Sequence, residues 1–203
     1  MDARDTYHSL MLTVRDRLDA IDALHNASIA PFSRAEAAAF HGRKVVEAIA
    51  FGCLVAIENG LQEVPRDARG QWNAQVIFKS LRHKGLSVLP SPSSIRQATI
   101  EEQREDSVKA VVEGVPERRL THDELIGISE ALHAWLHEVN PYVNKDHASF
   151  YAQRAERLWA DLARVRLFLE RHFISIHGEA FFCVLWDSQD NQTKVGSLTK
   201  SAA

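Results

Sequence analysis

Cysteine is scarce in this chain. Cys53 and Cys183 are the only two among 203 residues. Both sit in apolar stretches, so no disulfide framework is expected and each reads as a small core hydrophobe. A surplus of one charge is missing as well. The 24 Lys and Arg nearly balance the 27 Asp and Glu, for a formal net charge of −3. That removes the global basic signal of a nucleic-acid-binding protein, although a local basic patch would not show in composition. No apolar run is long and clean enough to span a membrane. No apolar segment follows Met1-Asp2-Ala3-Arg4-Asp5, so no signal peptide is expected and a reducing cytoplasm is the natural setting. A glycine-rich phosphate loop, a Gly-x-Ser-x-Gly elbow and a Cys-x-x-Cys pair are also missing.

What is present is an ordinary globular composition, 45% hydrophobic and 25% charged, on a chain long enough to bury a core without staples. One stretch organises it, from Ser33 to Gly60. From Val45 to Ile57 nearly every residue is apolar or small, so a helix there has no water-facing side and must be wrapped by other elements. Arg43, Lys44, Glu47 and Glu58 interrupt it too much for a membrane span. Ser33 with Glu36 reads as a capping box just after Pro31, and Gly60 as the C-terminal stop.

Around this rod the periodicity predicts further helices. The first covers 3–25, with Tyr7, Leu10, Met11, Val14, Leu18, Ile21 and Leu24 on one face. After a loop over 61–70, the third covers about 71–84, with Trp72, Val76, Ile77 and Leu81 inward and Gly85 as its stop. Pro90 and Pro92 predict extended, irregular chain over 86–94, followed by a short strand over 107–112. A second capping box, Thr121 with Glu124, opens a fourth helix that Asn140-Pro141 ends. The fifth covers about 146–172. The pattern then turns to period two, predicting strands over 174–176, 179–186 and 193–200. In the middle one Phe181, Cys183 and Leu185 face one way and Phe182, Val184 and Trp186 the other. Both faces are apolar, so both need cover, expected from the helices and from another chain. The fold class expected is α+β in a single domain, 1–203: a helical bundle over 3–172 and a small C-terminal antiparallel sheet over 174–200.

Three constellations carry candidate chemistry. Arg43 and Glu47 stand four apart on the central helix and share a face; a carboxylate among apolar residues needs a partner, so the plain reading is a buried ion pair that fixes helix docking. His133 and His137 are also four apart. The helical metalloprotease pattern needs Glu after the first histidine, where Ala134 stands, and no third ligand is evident; neither a metal nor another cofactor is expected. Arg166 and His172 are separated by five residues, with an Arg166–Glu170 surface pair as the plain alternative.

The Arg166–His172 spacing resembles the arginine-histidine signature of HEPN domains, small helical bundles that include metal-independent ribonucleases acting as dimers. The resemblance implies an arginine stabilising the phosphorane and a histidine acting as acid or base. Leu167 departs from the polar residue usual after that arginine. A second resemblance runs from Arg43-Lys44-Val45-Val46-Glu47 through Trp72-Asn73-Ala74-Gln75 and Pro90-Ser91-Pro92. It continues in Leu120-Thr121-His122-Asp123-Glu124 and Leu136-His137-Glu138-Val139-Asn140-Pro141. These stretches are similar to a group of bacterial helical proteins without an assigned activity, and the likeness makes Arg43, Glu47 and His137 its polar landmarks.

Two functions follow as expectations. The first is a non-enzymatic cytoplasmic module that self-associates or binds a protein partner through Phe182, Val184 and Trp186. The second is a HEPN-like endoribonuclease of a bacterial defence or toxin-antitoxin system, with RNA as partner and Arg166, His172 and His137 as catalytic candidates.

Overall fold

The computed structural model describes residues 3–59, 64, 67–68, 70–86, 88–105, 108–137, 147–176 and 179–199. Its central element is helix α2, Pro31–Asn59. Proline suits the first turn, where its missing N–H costs nothing, and Arg34 N–H already bonds to Ala30 O at 3.1 Å. Ser33 therefore lies inside the helix, and the Ser33–Glu36 capping box expected from sequence is replaced by a start two residues earlier. Gly60 lies outside the described residues. Val45, Val46, Ala50, Cys53 and Ile57 are fully buried, as an all-apolar rod requires. Helix α1, Ala3–His25, lies along α2 and buries Tyr7, Met11, Val14, Leu18 and Ile21 at alternating steps of four and three. At Gly42 a Cβ would run into Leu162 and crowd Leu132, so the small residue lets two neighbouring helices approach.

Those neighbours are α5, His122–Ala134, and α6, His147–Glu170. Between them and α2 in sequence lie α3, Ala74–His83, and the short α4, Ile100–Glu105. The Thr121–Glu124 capping box is formed in full. Helix α5 stops at Ala134, tightened by Trp135 N–H to Leu132 O at 3.2 Å and Leu136 N–H to His133 O at 3.0 Å; Asn140 and Pro141 lie outside the described residues. Helix α3 starts at Ala74 with Asn73 as its cap, three residues later than expected. Its buried stripe is Ala74, Ile77, Phe78 and Leu81. Trp72 precedes the helix and is 65% exposed, and Val76, off the stripe, is 39% exposed; both point outward, against expectation. Gly85, at φ +67°, ends α3 with Leu86 N–H bonded to Leu81 O, a left-handed stop.

The strands form one antiparallel five-stranded sheet in the order β2-β1-β3-β4-β5. These are β1 Ser91–Gln97, β2 Ala110–Gly114, β3 Arg171–Ile176, β4 Glu179–Val184 and β5 Lys194–Thr199. The fold class is α+β, but the sheet reaches further back than the C-terminal segment. The 86–94 stretch contributes its end to β1. Pro92 is tolerated because it stands second in the strand, where β1 meets β3 through two pairs only, Ser91↔Phe173 and Pro92↔His172. A capping box, Thr99 with Glu102, opens α4: Thr99 N–H donates to Glu102 Oε2 at 2.8 Å and Glu102 N–H to Thr99 Oγ1 at 3.3 Å. Helix α6 ends at Glu170 and β3 begins at once. The last helical carbonyls find partners in the sheet: Leu185 N–H donates to Glu170 O at 3.1 Å, and the His172 ring bonds Leu169 O at 2.9 Å. His172 is thus a strand residue, not a helical one.

His172, Ile174, Phe181, Cys183 and Val195 are buried on the helix side of the sheet. The other side carries Ile95, Phe182, Val184 and Gly196 around a groove of about 360 Å³, and Phe182 stands apart from the continuous core. Trp186 does not share that face. The chain bends after β4, and the indole N–H donates to Asp19 Oδ1 at 2.9 Å while Arg166 stacks 4.0 Å above its ring.

Candidate functional site

Two of the three constellations meet. Glu47 is buried on α2, 7% exposed, and its carboxylate accepts from both flanking cations: Arg43 Nε at 3.1 Å and Lys44 Nζ at 2.7 Å. Helical spacing of three and four residues places both on its side of the rod, so the buried charge is paired, as the sequence led us to expect. The rest of the Arg43 guanidinium reaches across to α5, where Nη1 lies 3.2 Å from His133 Nδ1. His133 Nε2 in turn lies 3.0 Å from Nε2 of His137, one turn further on.

The direction of these hydrogen bonds is set by chemistry. A guanidinium can only donate, so His133 Nδ1 accepts and its proton sits on Nε2. That proton is given to His137 Nε2, which leaves the His137 proton on Nδ1. A one-way chain of donors runs from Arg43 through His133 to His137. Desolvation, then Arg43, then His137 lower the pKa of His133 from its ordinary value, which agrees with a neutral ring that accepts from a cation.

This cluster borders a cavity of about 240 Å³ lined by Arg43, Glu47, Ser129 and His133 on one side and by Trp72, Asn73, Ala74 and Gln75 on the other. The second wall is the start of α3. It is fixed by Asn73 Oδ1, which accepts from Gln75 N–H at 3.0 Å. The cavity therefore brings together a guanidinium, an imidazole, an exposed indole and side-chain amides, with the second imidazole, His137, hydrogen-bonded to His133 outside the lining. Such a set can hold an anion and move a proton beside it. No group of three or more His, Cys, Asp and Glu side chains is placed to hold a metal ion among the described residues.

The third constellation is not gathered. His172 is fully buried, with its ring between Tyr7 and Leu169 O; burial lowers its pKa to about 4. Arg166 lies elsewhere, paired with Asp22 Oδ2 at 2.6 Å beside a separate cavity of about 330 Å³ between α1 and α6. The expected Arg166–Glu170 pair is replaced, because Glu170 accepts from Arg118 Nη1 at 2.8 Å. A six-residue step on a helix would set Arg166 and His172 about 120° apart; the switch to strand after Glu170 turns the histidine into the core instead.

Sequence reasoning missed Trp72 as a site residue, because the helical phase taken for α3 pointed it inward. The signal that would have found it is Asn73, a good cap that starts the helix after the tryptophan. Ser129 and Gln75 carried no signal of their own. No helix among the described residues is long and apolar enough to cross a membrane. Set against protein-family models, curated proteins and solved structures, the chain matches none.

Proposed function

We propose that the chain is a metal-independent endoribonuclease acting in the bacterial cytoplasm, and that its working site is the Arg43–His133–His137 cavity rather than the Arg166–His172 pair. The reading keeps the HEPN-like chemistry of arginine with histidine and moves it to other residues. One observation carries it: Arg43, His133 and His137 meet in a single hydrogen-bonded chain across 90 residues of sequence, and its first two members line a polar cavity.

The chemistry follows from the groups. As a substrate phosphate draws the Arg43 guanidinium toward itself, the Nδ1 lone pair of His133 is released. His133 takes the proton of the ribose 2′-hydroxyl while that oxygen attacks phosphorus. The bond from phosphorus to the 5′-oxygen breaks, the His133 Nε2 proton passes to His137 Nε2, and His137 gives its Nδ1 proton to the leaving oxygen. The products are a 2′,3′-cyclic phosphate and a free 5′-hydroxyl. Arg43, with Lys44 beside it, offsets the charge that builds on the phosphorane. Glu47 acts at one remove, holding both cations in place.

The experiment is cleavage of a fluorophore–quencher RNA by purified protein in EDTA. Wild type is expected to cleave, and Arg43→Ala, His133→Ala and His137→Ala each to lose about 100-fold or more in kcat/KM. Equal cleavage by wild type and all three variants, or cleavage abolished by EDTA, would refute the assignment.

A second reading is supported by the open sheet face. Ile95, 40% exposed, lies with Phe182 and Val184 around an apolar groove whose rim carries Arg171 and Lys194 beside Asp187. A two-fold copy would set apolar floor on apolar floor and acid against base. This reading makes the chain a homodimer through β4 and β1, with Trp186 excluded from the contact. Light scattering tests it: dimers that dissociate on Ile95→Asp support it, and a monomeric wild type removes it.

A further inference from the structure

We propose that Trp72 is the base platform of this cavity: an unpaired nucleotide stacks on its indole while the adjoining phosphate lies against Arg43, so the substrate is single-stranded RNA. The inference rests on the nuclease reading above and names the substrate form that the same site takes.

Trp72 is exceptional among the tryptophans. At 65% exposed it has the largest exposed fraction, after Ile100, among the large apolar side chains of the described residues, whereas Trp135 is buried. Trp159 packs edge-on to His25 with ring centroids 4.6 Å apart, and Trp186 is held between Asp19 and Arg166. An indole offers a large apolar face that gains from being covered. Trp72 offers it on the wall of the cavity that Arg43 and His133 also line. Its backbone directly precedes Asn73, which is fixed as the cap of α3. The ring thus hangs from the end of a packed helix. Val76, also exposed, extends the apolar surface along α3.

The shape selects the substrate. A cavity of about 240 Å³ is too small for a base-paired duplex, and a base held in a helical stack cannot lay its face on a protein indole. A splayed nucleotide can do so. Every base has a π-face, so stacking tolerates sequence. The site should therefore reject duplexes strongly and discriminate weakly among single strands of different sequence.

Two readouts test this. The first is fluorescence anisotropy of a labelled 2′-O-methyl oligonucleotide, which has no free 2′-hydroxyl and cannot be cleaved. The second is cleavage of an ordinary RNA of the same sequence. Trp72→Ala should weaken single-strand binding about 10-fold or more and raise KM with kcat retained. Trp72→Phe should recover most of the loss, and the matching duplex should bind at least about 10-fold more weakly than the single strand. Unchanged binding by Trp72→Ala, or equal binding of duplex and single strand, overturns the proposal. Cleavage that needs Arg43 and His133 but ignores Trp72 would sink the platform and leave the nuclease standing. Trp72-dependent binding of single strands without cleavage would support the platform and sink the nuclease.

Discussion

The Tyr7 hydroxyl lies 2.6 Å from His172 Nε2 in the centre of the fold. The other ring nitrogen, Nδ1, faces Leu169 O, a carbonyl that can only accept, so the His172 proton is on Nδ1 and Tyr7 donates to Nε2. Desolvation by burial raises the Tyr7 pKa well above its ordinary value, which keeps it a donor. One hydrogen bond thereby joins α1 to β3 through the core. Tyr7→Phe leaves a buried nitrogen without its donor and should cost about 1–3 kcal/mol of stability, read as a fall in the urea midpoint at constant m-value.

His172 also predicts a pH dependence. Its folded pKa of about 4 lies below the ordinary 6.5, so the unfolded chain binds the proton first. Its contribution is complete above pH 6.5 and is lost as pH falls through the window down to 4. The full loss is about 3 kcal/mol. Urea midpoints measured across that window should decline with acid in wild type, and the slope should flatten in His172→Phe, provided that variant folds.

Glu47 is the fixed point of the proposed site. It is nearly buried and accepts from two cations that remain partly in water. Glu47→Gln keeps the shape and removes the charge, so the cations lose their counter-ion and gain freedom to move. The expected cost is about 1–2 kcal/mol, below that of breaking a wholly buried pair because Arg43 and Lys44 keep solvent contact. If cleavage is found, kcat should fall in Glu47→Gln through misplacement of Arg43, with partial rescue by Glu47→Asp.

Much of the fold is legible in the sequence. The alternating four- and three-residue steps of α1 and the Thr121 capping box are local signals, and local signals read well. So did the Arg43–Glu47 pair, set by helical spacing alone. Pro92 hid β1, because proline argues against a strand unless the pairing around it is known. The end of α6 was hidden for a similar reason: Glu170 O and Leu169 O are satisfied by groups that only the sheet brings near. The meeting of Arg43 with His133 joins residues 90 apart, and no pattern in one sequence announces a contact of that kind.

Trp186 illustrates how a face assignment fails at a bend. Read as a strand residue it belongs with Phe182 and Val184; the chain instead turns after Val184 and seats the indole on α1 and α6. Trp186→Asp should therefore unfold the protein rather than release a partner, since it removes the Arg166 stack, deletes the bond to Asp19 and places an acid beside Asp19 and Asp22. A loss of about 2–3 kcal/mol is expected, at or below the low end for truncating buried large aromatics, because Trp186 is only partly buried. Circular dichroism melts distinguish this outcome: a lowered Tm assigns Trp186 to the fold, and an unchanged Tm with loss of association would return it to an interface.

The acid limb of any activity should belong to His133. Burial, Arg43 and His137 all push its pKa down, so the ring is neutral at pH 7 and remains a base somewhat below the ordinary histidine range. Protonation would put a donor at Nδ1 against a guanidinium that can only donate, and would break the link from Arg43 to α5. Cleavage should therefore fall as pH drops through that lowered pKa. Arg43→Gln removes a neighbouring positive charge and should move the limb to higher pH, even where the rate itself is reduced. NMR titration of the His133 ring checks the same shift without relying on activity: its midpoint should lie below the ordinary histidine value in wild type and rise in Arg43→Gln.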